Sequence, residues 1–157
     1  MADSRRWLVK TEPESYSIDD LAAQGTTSWE GVRNYTARNT MRDGMRLGDP
    51  VLVYHSSTEP PGVVGLAKVA REAYPDPTAF DPSSKYYDEK STPAEPRWVM
   101  VDLAFVEKFG RVVTLDELKN DPALAGMEVT KRGSRLSVTP VAPEHYARVL
   151  EHARRPG

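Results

Sequence analysis

The chain has 157 residues, of which 39% are hydrophobic and 28% are charged. This length favours one domain with a single core and is short for two. Its 21 lysine and arginine residues against 23 aspartate and glutamate residues give a formal net charge of -2. That balance excludes the histone-like and polybasic membrane-surface classes, because both need a large positive excess to hold their partners.

The chain contains no cysteine, which excludes disulfides, thiolate catalysis and cysteine-ligated metal sites and suits a reducing compartment. Residues 1–10 hold no apolar run of signal-peptide length, and nowhere do about 18 apolar residues follow one another. We therefore expect one domain over residues 1–157, located in the cytoplasm and without a membrane partner.

The first half of the chain combines short apolar strands with capped helices. Trp7–Lys10 predicts the first strand. Ser17 can cap a helix that Gly25 ends, and Asn34 can cap a second helix that reaches Arg42. Two longer apolar runs then predict strands at Val51–His55 and Val63–Ala73.

The second half begins with a long loop, residues 75–96, which contains five prolines and three aromatic residues. Loops of this length are usually functional or disordered, and the aromatic residues argue for order because they must pack. Arg97–Val106 predicts a strand, and a capping box at Thr114 opens a short helix. Ser134–Val138 predicts a late strand, and Pro143 begins the last helix. Because the strands are clustered, the pattern predicts an α+β fold, a small, largely antiparallel β-barrel with peripheral helices.

Residue types that support catalysis or metal binding are scattered. The histidines His55, His145 and His152 fall in two distant segments, and no HExxH motif exists. His55 and Ser56 are adjacent in a strand, so their side chains point to opposite faces and do not form a nucleophile–base pair. No glycine loop for phosphates is present. We therefore expect no metal and no cofactor, and these patterns make a hydrolase a less favoured class.

The most informative segment is Trp29–Asn39, which places two aromatic residues, two arginines and two amides within eleven residues. An aromatic ring can stack on a planar base, contributing about 1–3 kcal/mol. Amides can read the edge of the base, and arginines can meet flanking phosphates. Taken singly, each residue has a simpler structural explanation, such as a core tryptophan or a helix cap. Taken together, they favour a binding pocket.

Five separated motifs of uncommon residues follow one another along the chain: Trp7–Pro13, Trp29–Asn39, Gly48-Asp49, Tyr54–Ser56 and Gly133–Val141. In this order they resemble the EVE domain family, and the resemblance covers nearly the whole chain. It implies a PUA-like fold, which is a small bent β-barrel flanked by short helices. It also implies a non-catalytic domain that reads modified bases in DNA or RNA.

The resemblance further implies which residues would form a base pocket. The family usually has serine at the position of Thr11, which keeps the hydroxyl group and adds a methyl group that could narrow the pocket. The pocket candidates are Lys10, Thr11, Trp29, Gly31, Val32, Arg33, Asn34, Asn39, Tyr54, His55, Ser56 and Trp98.

Positive side chains would hold the phosphates of such a nucleic acid. The densest positive stretch, residues 131–135, is about as well explained by a solvated hairpin turn. The candidates for phosphate contact are Arg38, Arg42, Lys131, Arg132 and Arg135.

The leading hypothesis is a reader that takes one flipped or unpaired modified base from DNA or RNA and stacks it on Trp29 or Trp98. Three alternatives remain open. The chain could be a small-molecule or nucleotide-binding module without a polymer partner. It could be an enzyme that uses His55 as a general base with Asp88 nearby. It could also be a protein-interaction module that docks through the proline-rich loop.

Overall fold

The computed structural model describes residues 5–131 and 136–154 and contains one sheet of six strands. The strands are β1 (Arg6–Thr11), β2 (Thr26–Ser28), β3 (Pro50–His55), β4 (Gly62–Pro75), β5 (Val99–Thr114) and β6 (Val138–Val141). Their order across the sheet is β2-β5-β4-β3-β1-β6. Neighbouring strands are antiparallel except β1 and β3, which are parallel. The order begins at β2 and ends at β6, so the pairing among the described residues leaves the sheet open.

Short helices flank the sheet, and three of them begin at caps that the sequence predicted; at the third, the Thr114 hydroxyl oxygen accepts from the Glu117 amide over 3.1 Å. Ser17 and Asp20 form a complete capping box, each side chain accepting a hydrogen bond from the backbone amide of the other. The Asn34 side chain accepts from the Ala37 amide over 3.0 Å. No helix in the described ranges is both long enough and apolar enough to cross a membrane. The helices are α1 (Ile18–Gln24), α2 (Tyr35–Asp43), α3 (Leu115–Lys119) and α4 (Pro143–Ala153).

The predicted α+β class, with a largely antiparallel sheet and short flanking helices, is confirmed, although the sheet is not a closed barrel. Strand β2 was not predicted, because it is only three residues long and two of them are exposed. Strand β5 runs well beyond the predicted end at Val106, because its outer half pairs with β4, where Thr114 lies opposite Gly62. The prediction of one domain over residues 1–157 stays a prediction.

Among the described residues, the late strand predicted at Ser134–Val138 overlaps the observed strand at Val138 only. Residues 132–135 lie outside the described residues, and β6 starts only at Val138, which pairs with Val9 of β1. Pro140 follows within the strand, opposite Trp7. An edge strand tolerates a proline because it needs ladder hydrogen bonds on one side only.

The sheet is buried on both faces, and alternate residues of β1 enter two different cores. Trp7 packs in the first core with Met41 of α2, and Leu8 packs in the second with Val149 of α4. This alternation follows from the two-residue period of a strand. The first core also contains Trp29, which places the segment after β2 against the sheet.

Candidate functional site

A cavity of about 630 Å³ opens between the end of β1, helix α1, strand β2 and the segment that follows β2. Sites for small ligands have volumes of about 300–1,000 Å³. Six of the twelve pocket candidates line it, and these are Lys10, Thr11, Trp29, Gly31, Val32 and Arg33. The sequence reasoning missed the other lining residues: Glu12, Ser15, Tyr16, Gln24, Thr27, Ser28, Glu30, Lys85, Tyr86 and Ser137.

Three aromatic residues border the cavity. Trp29 is 9% exposed, so most of its indole is packed in the core while part of it faces the cavity. The Tyr16 ring stands edge-on to it, with centroids 5.9 Å apart and planes at 87°. The Tyr16 hydroxyl donates to Oε1 of Gln24 over 2.6 Å, which fixes both side chains at the cavity. Tyr86, from the long proline-rich loop, supplies the third ring.

Gly31 is required where Tyr86 meets the loop after Trp29. Its φ is +82°, and a Cβ atom at this position would lie 2.6 Å from Cζ of Tyr86. Only glycine combines this backbone conformation with so close an approach of a ring. The Tyr86 ring therefore packs directly on the Gly31 backbone and forms a wall of the cavity.

All five N–H groups of the Arg33 guanidinium are used within the protein. Nε and one N–H of Nη2 donate to the Tyr86 carbonyl over 3.0 and 2.8 Å, and Nη2 also donates to Thr78 Oγ1 over 3.1 Å. Nη1 donates to the Val32 carbonyl over 2.9 Å and to Oδ2 of Asp76 over 3.1 Å. These contacts are those of a residue that anchors the proline-rich loop, and they leave no guanidinium N–H for a ligand.

Asp76 is the buried partner in this anchor, with a side-chain exposure of 0%. Its Oδ2 also accepts from the Gly31 amide over 2.8 Å, and its Oδ1 accepts from the amide and hydroxyl of Thr78. Burial alone raises the pKa of the Asp76 carboxyl. The hydrogen bonds from Thr78, Gly31 and Arg33 outweigh burial, so the pKa is lowered and the carboxylate stays ionised.

The two candidates on β1 lie at the opposite wall. Lys10 is partly buried, and burial lowers the pKa of its ammonium group although the charge of Glu128 opposes that effect. The Lys10 Nζ lies 5.9 Å from the centroid of the Tyr54 ring. The Thr11 hydroxyl donates to the Tyr16 carbonyl over 2.9 Å, so it positions the backbone of an aromatic residue of the cavity.

The two asparagine candidates lie outside the cavity lining and make local contacts. Asn34 caps α2, as described above. The Asn39 carbonyl oxygen accepts from Nε and Nη2 of Arg38 over 3.1 and 2.7 Å. These hydrogen bonds engage the side-chain oxygen of each residue.

The candidates at the end of β3 also lie outside the lining. Tyr54 is buried in the second core, and the Ser56 amide donates to the Thr11 carbonyl over 2.9 Å. Nε2 of His55 accepts from the Ile18 amide over 3.1 Å, at the start of α1. Burial lowers the pKa of His55, so that it is neutral at pH 7 and can accept this hydrogen bond.

Trp98 is buried next to the cavity wall rather than in the cavity lining. Its indole N–H donates to Oδ2 of Asp88 over 2.8 Å, and its ring stacks on Tyr35 with centroids 4.8 Å apart. Arg33 lies between this ring and Tyr86, with its Cζ 5.3 Å and 5.4 Å from the two centroids.

The described phosphate candidates do not line the cavity. Arg38 donates to the Arg97 carbonyl, and Lys131 pairs with Glu128 over 3.3 Å. Arg42 forms two hydrogen bonds with Asp43, and this pairing, with the charges of Arg38 and Arg46, lowers the pKa of Asp43. Three arginines therefore lie near one carboxylate at the end of α2. Arg132 and Arg135 fall outside the described residues.

A second charged cluster holds α4 against α3. Nδ1 of His152 lies 2.6 Å from Oε2 of Glu117, and Nε2 lies 2.6 Å from Oδ2 of Asp121. Arg111 pairs with Glu117 over 2.7 Å, and Arg148 pairs with Asp121 over 2.6 Å. Within residues 5–131 and 136–154, no three histidine, aspartate or glutamate side chains are arranged to hold a metal ion.

The EVE domain model matches residues 5–152 of this chain. The chain belongs to the EVE domain family. Thymocyte nuclear protein 1 of mouse is 42% identical over 166 residues, an alignment that covers 94% of this chain and 73% of the mouse protein. An uncharacterised protein of fission yeast, C21.03c, is 36% identical over 99% of this chain and 71% of its own length.

Solved structures of similar proteins share the fold. A Pseudomonas putida protein has 47% identity and a TM-score of 0.91, covering 94% of this chain and 99% of that protein chain. The human THYN1 protein, solved in complex with DNA that contains 5-methylcytosine, has 40% identity and a TM-score of 0.91. That alignment covers 98% of this chain and 100% of the human chain.

The expected location in the cytoplasm is wrong. The relatives from mouse and chicken that match most of this EVE domain are named thymocyte nuclear proteins. Composition could not reveal this, because the lack of cysteine suits any reducing compartment.

Proposed function

We propose that this EVE domain is a non-catalytic binder of nucleic acid, DNA or RNA, and that it takes one modified base, flipped or unpaired, into the cavity beside Trp29. The observation that carries the proposal is a cavity of about 630 Å³ bordered by the rings of Tyr16, Trp29 and Tyr86. The similar human protein, whose structure contains 5-methylcytosine DNA, supports the same class of ligand.

The cavity offers the contacts that a base requires. Stacking on an aromatic ring contributes about 1–3 kcal/mol, which offsets the few kcal/mol needed to extrude a base from a duplex. Polar side chains of Gln24, Ser28 and Glu30 line the same space and can meet the edge of the base. A methyl group that fills an apolar gap adds about 1–3 kcal/mol, so modified and unmodified bases would differ by a modest factor.

The phosphate candidates extend this proposal to the strand that carries the base. Arg38 and Arg42 follow the cavity segment directly on α2 and lie with Arg46 around Asp43. These cations would meet phosphates beside the cavity, and Lys131, Arg132 and Arg135 remain candidates on the other segment. The affinity should then fall as the salt concentration rises.

The contacts of His55 support binding rather than catalysis. A general base needs a free lone pair, and the Nε2 lone pair of His55 accepts from the Ile18 amide. Asp88, the carboxylate of the enzymatic alternative, accepts from Trp98 and from the Lys90 amide. Both groups are therefore engaged in holding the fold.

The cavity volume also favours one second candidate, a binder of free nucleosides or nucleotides with no polymer partner. A binding screen distinguishes the two. Fluorescence anisotropy is measured with DNA and RNA oligonucleotides that carry a modified base, with their unmodified counterparts, and with the free modified nucleoside as competitor. The proposed base-reading function predicts a preference for a modified oligonucleotide. Competition by the free nucleoside as strong as competition by the oligonucleotide favours the second candidate.

The role of Trp29 is tested in the same assay with Trp29→Leu, which removes the aromatic ring but keeps apolar volume. Loss of stacking predicts at least about fivefold weaker binding. Trp7→Leu is the matched control, because Trp7 is a buried indole of the same core that does not line the cavity. Unchanged affinity of a folded Trp29→Leu variant rejects Trp29 as the stacking residue.

A further inference from the structure

Two tyrosines outside the cavity present their rings to solvent. Tyr35, the first residue of α2, is 51% exposed, and Tyr87, in the proline-rich loop, is 44% exposed. Aromatic side chains contribute large apolar areas and usually gain stability by burial, so exposed rings are candidates for a contact surface.

Trp98 contacts Tyr35 and the residue that follows Tyr87. Tyr35 stacks on it, with centroids 4.8 Å apart and planes inclined by 24°. Its indole N–H donates to Asp88, the residue that follows Tyr87, and the Asp88 amide donates in turn to the Ala79 carbonyl over 3.0 Å. The Tyr35 ring therefore rests on a buried, hydrogen-bonded support, and the same hydrogen bonds hold the backbone next to Tyr87.

Positive charge accompanies the exposed ring of Tyr35. Cζ of Arg38 lies 4.8 Å from the Tyr35 centroid, and its Nη1 donates to the Arg97 carbonyl over 3.0 Å. Arg42 follows one turn later on α2 with 47% of its side chain exposed. Aromatic rings with adjacent cations suit a single-stranded nucleic acid, whose bases stack while its phosphates pair with the cations.

This surface adjoins the cavity. The Arg33 guanidinium lies 5.3 Å from the Trp98 centroid and 5.4 Å from the Tyr86 centroid. Trp98 supports Tyr35, and Tyr86 lines the cavity. One guanidinium thus lies between a wall of the cavity and Trp98, which supports the Tyr35 ring.

We infer that Tyr35, Tyr87 and Arg38 form a second nucleic-acid contact, the stacking surface, which holds an unpaired base next to the one in the cavity. The inference rests on the proposed function for the identity of the first base. An unpaired strand is the partner, because each base inside a duplex already has both faces covered by its neighbours. The domain would then bind a modified base best in a single-stranded context.

The experiment compares binding of four probes by the full chain. They are the nucleoside 5-methyldeoxycytidine, a short single-stranded oligonucleotide with central 5-methylcytosine, the same oligonucleotide with abasic sites flanking that base, and its duplex. The double variant Tyr35→Ala/Tyr87→Ala should bind the single strand about 5- to 100-fold more weakly than the unaltered chain. Its affinities for the nucleoside and for the abasic-flanked strand should not change.

Three controls keep the test specific. Leu47→Ala alters an exposed apolar side chain elsewhere and should bind all probes normally. Tyr35→Phe should retain binding because the ring remains. Tyr87→Ala alone leaves the Tyr35–Trp98 stack intact, so a smaller loss in this variant supports the inference even if the double variant unfolds.

Two results overturn the stacking surface. One is an unchanged affinity of Tyr87→Ala and of the folded double variant for the single strand, and the other is an equal loss with normal and abasic flanks. The proposed function fails separately when the affinity is the same with and without the methyl group and Trp29→Leu does not change it. Loss of single-strand binding in the tyrosine variants would then still support the stacking surface.

Discussion

Arg33 and Asp76 stand 43 residues apart in sequence and meet through a 3.1 Å hydrogen bond from Nη1 to Oδ2. The same oxygen accepts from the Gly31 amide, and Arg33 also holds the Tyr86 carbonyl. This pair therefore fastens the proline-rich loop to the segment after Trp29. The wall of the cavity depends on it.

We expect Asp76→Ala to lower the free energy of unfolding by about 3 kcal/mol, because it leaves the partly buried Arg33 and the Gly31 amide without their acceptor. Ligand affinity should fall as well, since Tyr86 loses its anchor. Glu89→Ala is the control, an exposed acidic residue of the same loop that should change stability by less than about 0.5 kcal/mol. Urea unfolding measures the stability of both variants. A loss of stability below about 1 kcal/mol for Asp76→Ala would contradict the anchoring role of this pair.

The Asp76 carboxylate also predicts a loss of stability in acid. Its pKa in the folded protein is lower than the ordinary aspartate value of 3.8, so its contribution is complete above that value. The contribution disappears as the pH falls through the lowered pKa, because the carboxylate then becomes protonated in the folded chain as well. Between about pH 5 and pH 2 the unaltered chain should lose more stability than Asp76→Asn, which cannot titrate. Parallel acid-unfolding curves for the two proteins would refute this.

Gly31→Ala should be more harmful than Gly48→Ala. Both glycines have positive φ, +82° and +87°, so alanine introduces backbone strain of about 1 kcal/mol at each. Only at Gly31 would the new Cβ also collide with Tyr86, and overpacking adds about 1–3 kcal/mol. Thermal unfolding should show the larger loss for Gly31→Ala, with weaker ligand binding in that variant alone. Equal losses would mean that the Tyr86 ring moves aside freely.

His55 predicts a second pH effect, closer to neutrality. Burial, assisted by the charge of Lys108 and opposed by Asp19, lowers its pKa below 6.5 in the folded protein. Near pH 6.5 the unfolded chain therefore binds a proton at His55 and the folded chain does not. Stability is therefore full above that pH and declines as the pH falls. His55→Gln keeps an acceptor for the Ile18 amide without titrating. The stability of the unaltered chain relative to this variant should decrease from about pH 7.5 to pH 5.5, and a constant difference would disprove the prediction.

His152→Ala should destabilise the fold without affecting the cavity. The buried imidazole bridges Glu117 and Asp121, and its removal leaves both carboxylates without that partner, at a cost of about 3 kcal/mol. His145→Ala on the same helix is the matched control. Chemical unfolding should separate the two variants, while oligonucleotide affinity of folded His152→Ala stays unchanged. Equal stability of the two variants would contradict a bridging role.

Several elements were predictable because they depend on neighbours in the sequence. The caps at Ser17 and Asn34 accept from amides three residues away, so their chemistry can be read directly from the residues. Strand β5 was predicted only in part, because its outer half contains Glu107, Lys108 and Gly110, which break the apolar alternation. Pairing with β4, not local preference, makes those residues a strand.

The site was harder to predict for the same reason. Arg33 and Asn34 are residue types that bind phosphates and bases, yet the structure uses one to hold Asp76 and the other to cap α2. Tyr86 was noted only as an aromatic residue that must pack, and nothing near it in sequence points to Gly31. Such contacts depend on the path of a long loop across the molecule.

The amino-acid sequence by itself determined the family, the α+β class and the helix starts, because motifs and caps involve residues close together along the chain. The tertiary structure alone decided which side chains border the cavity and which are consumed as anchors. The physical reason is that a polar side chain has a limited number of hydrogen bonds. Whether partners from distant segments use them, as Asp76 and Tyr86 use those of Arg33, is settled only when the chain has folded.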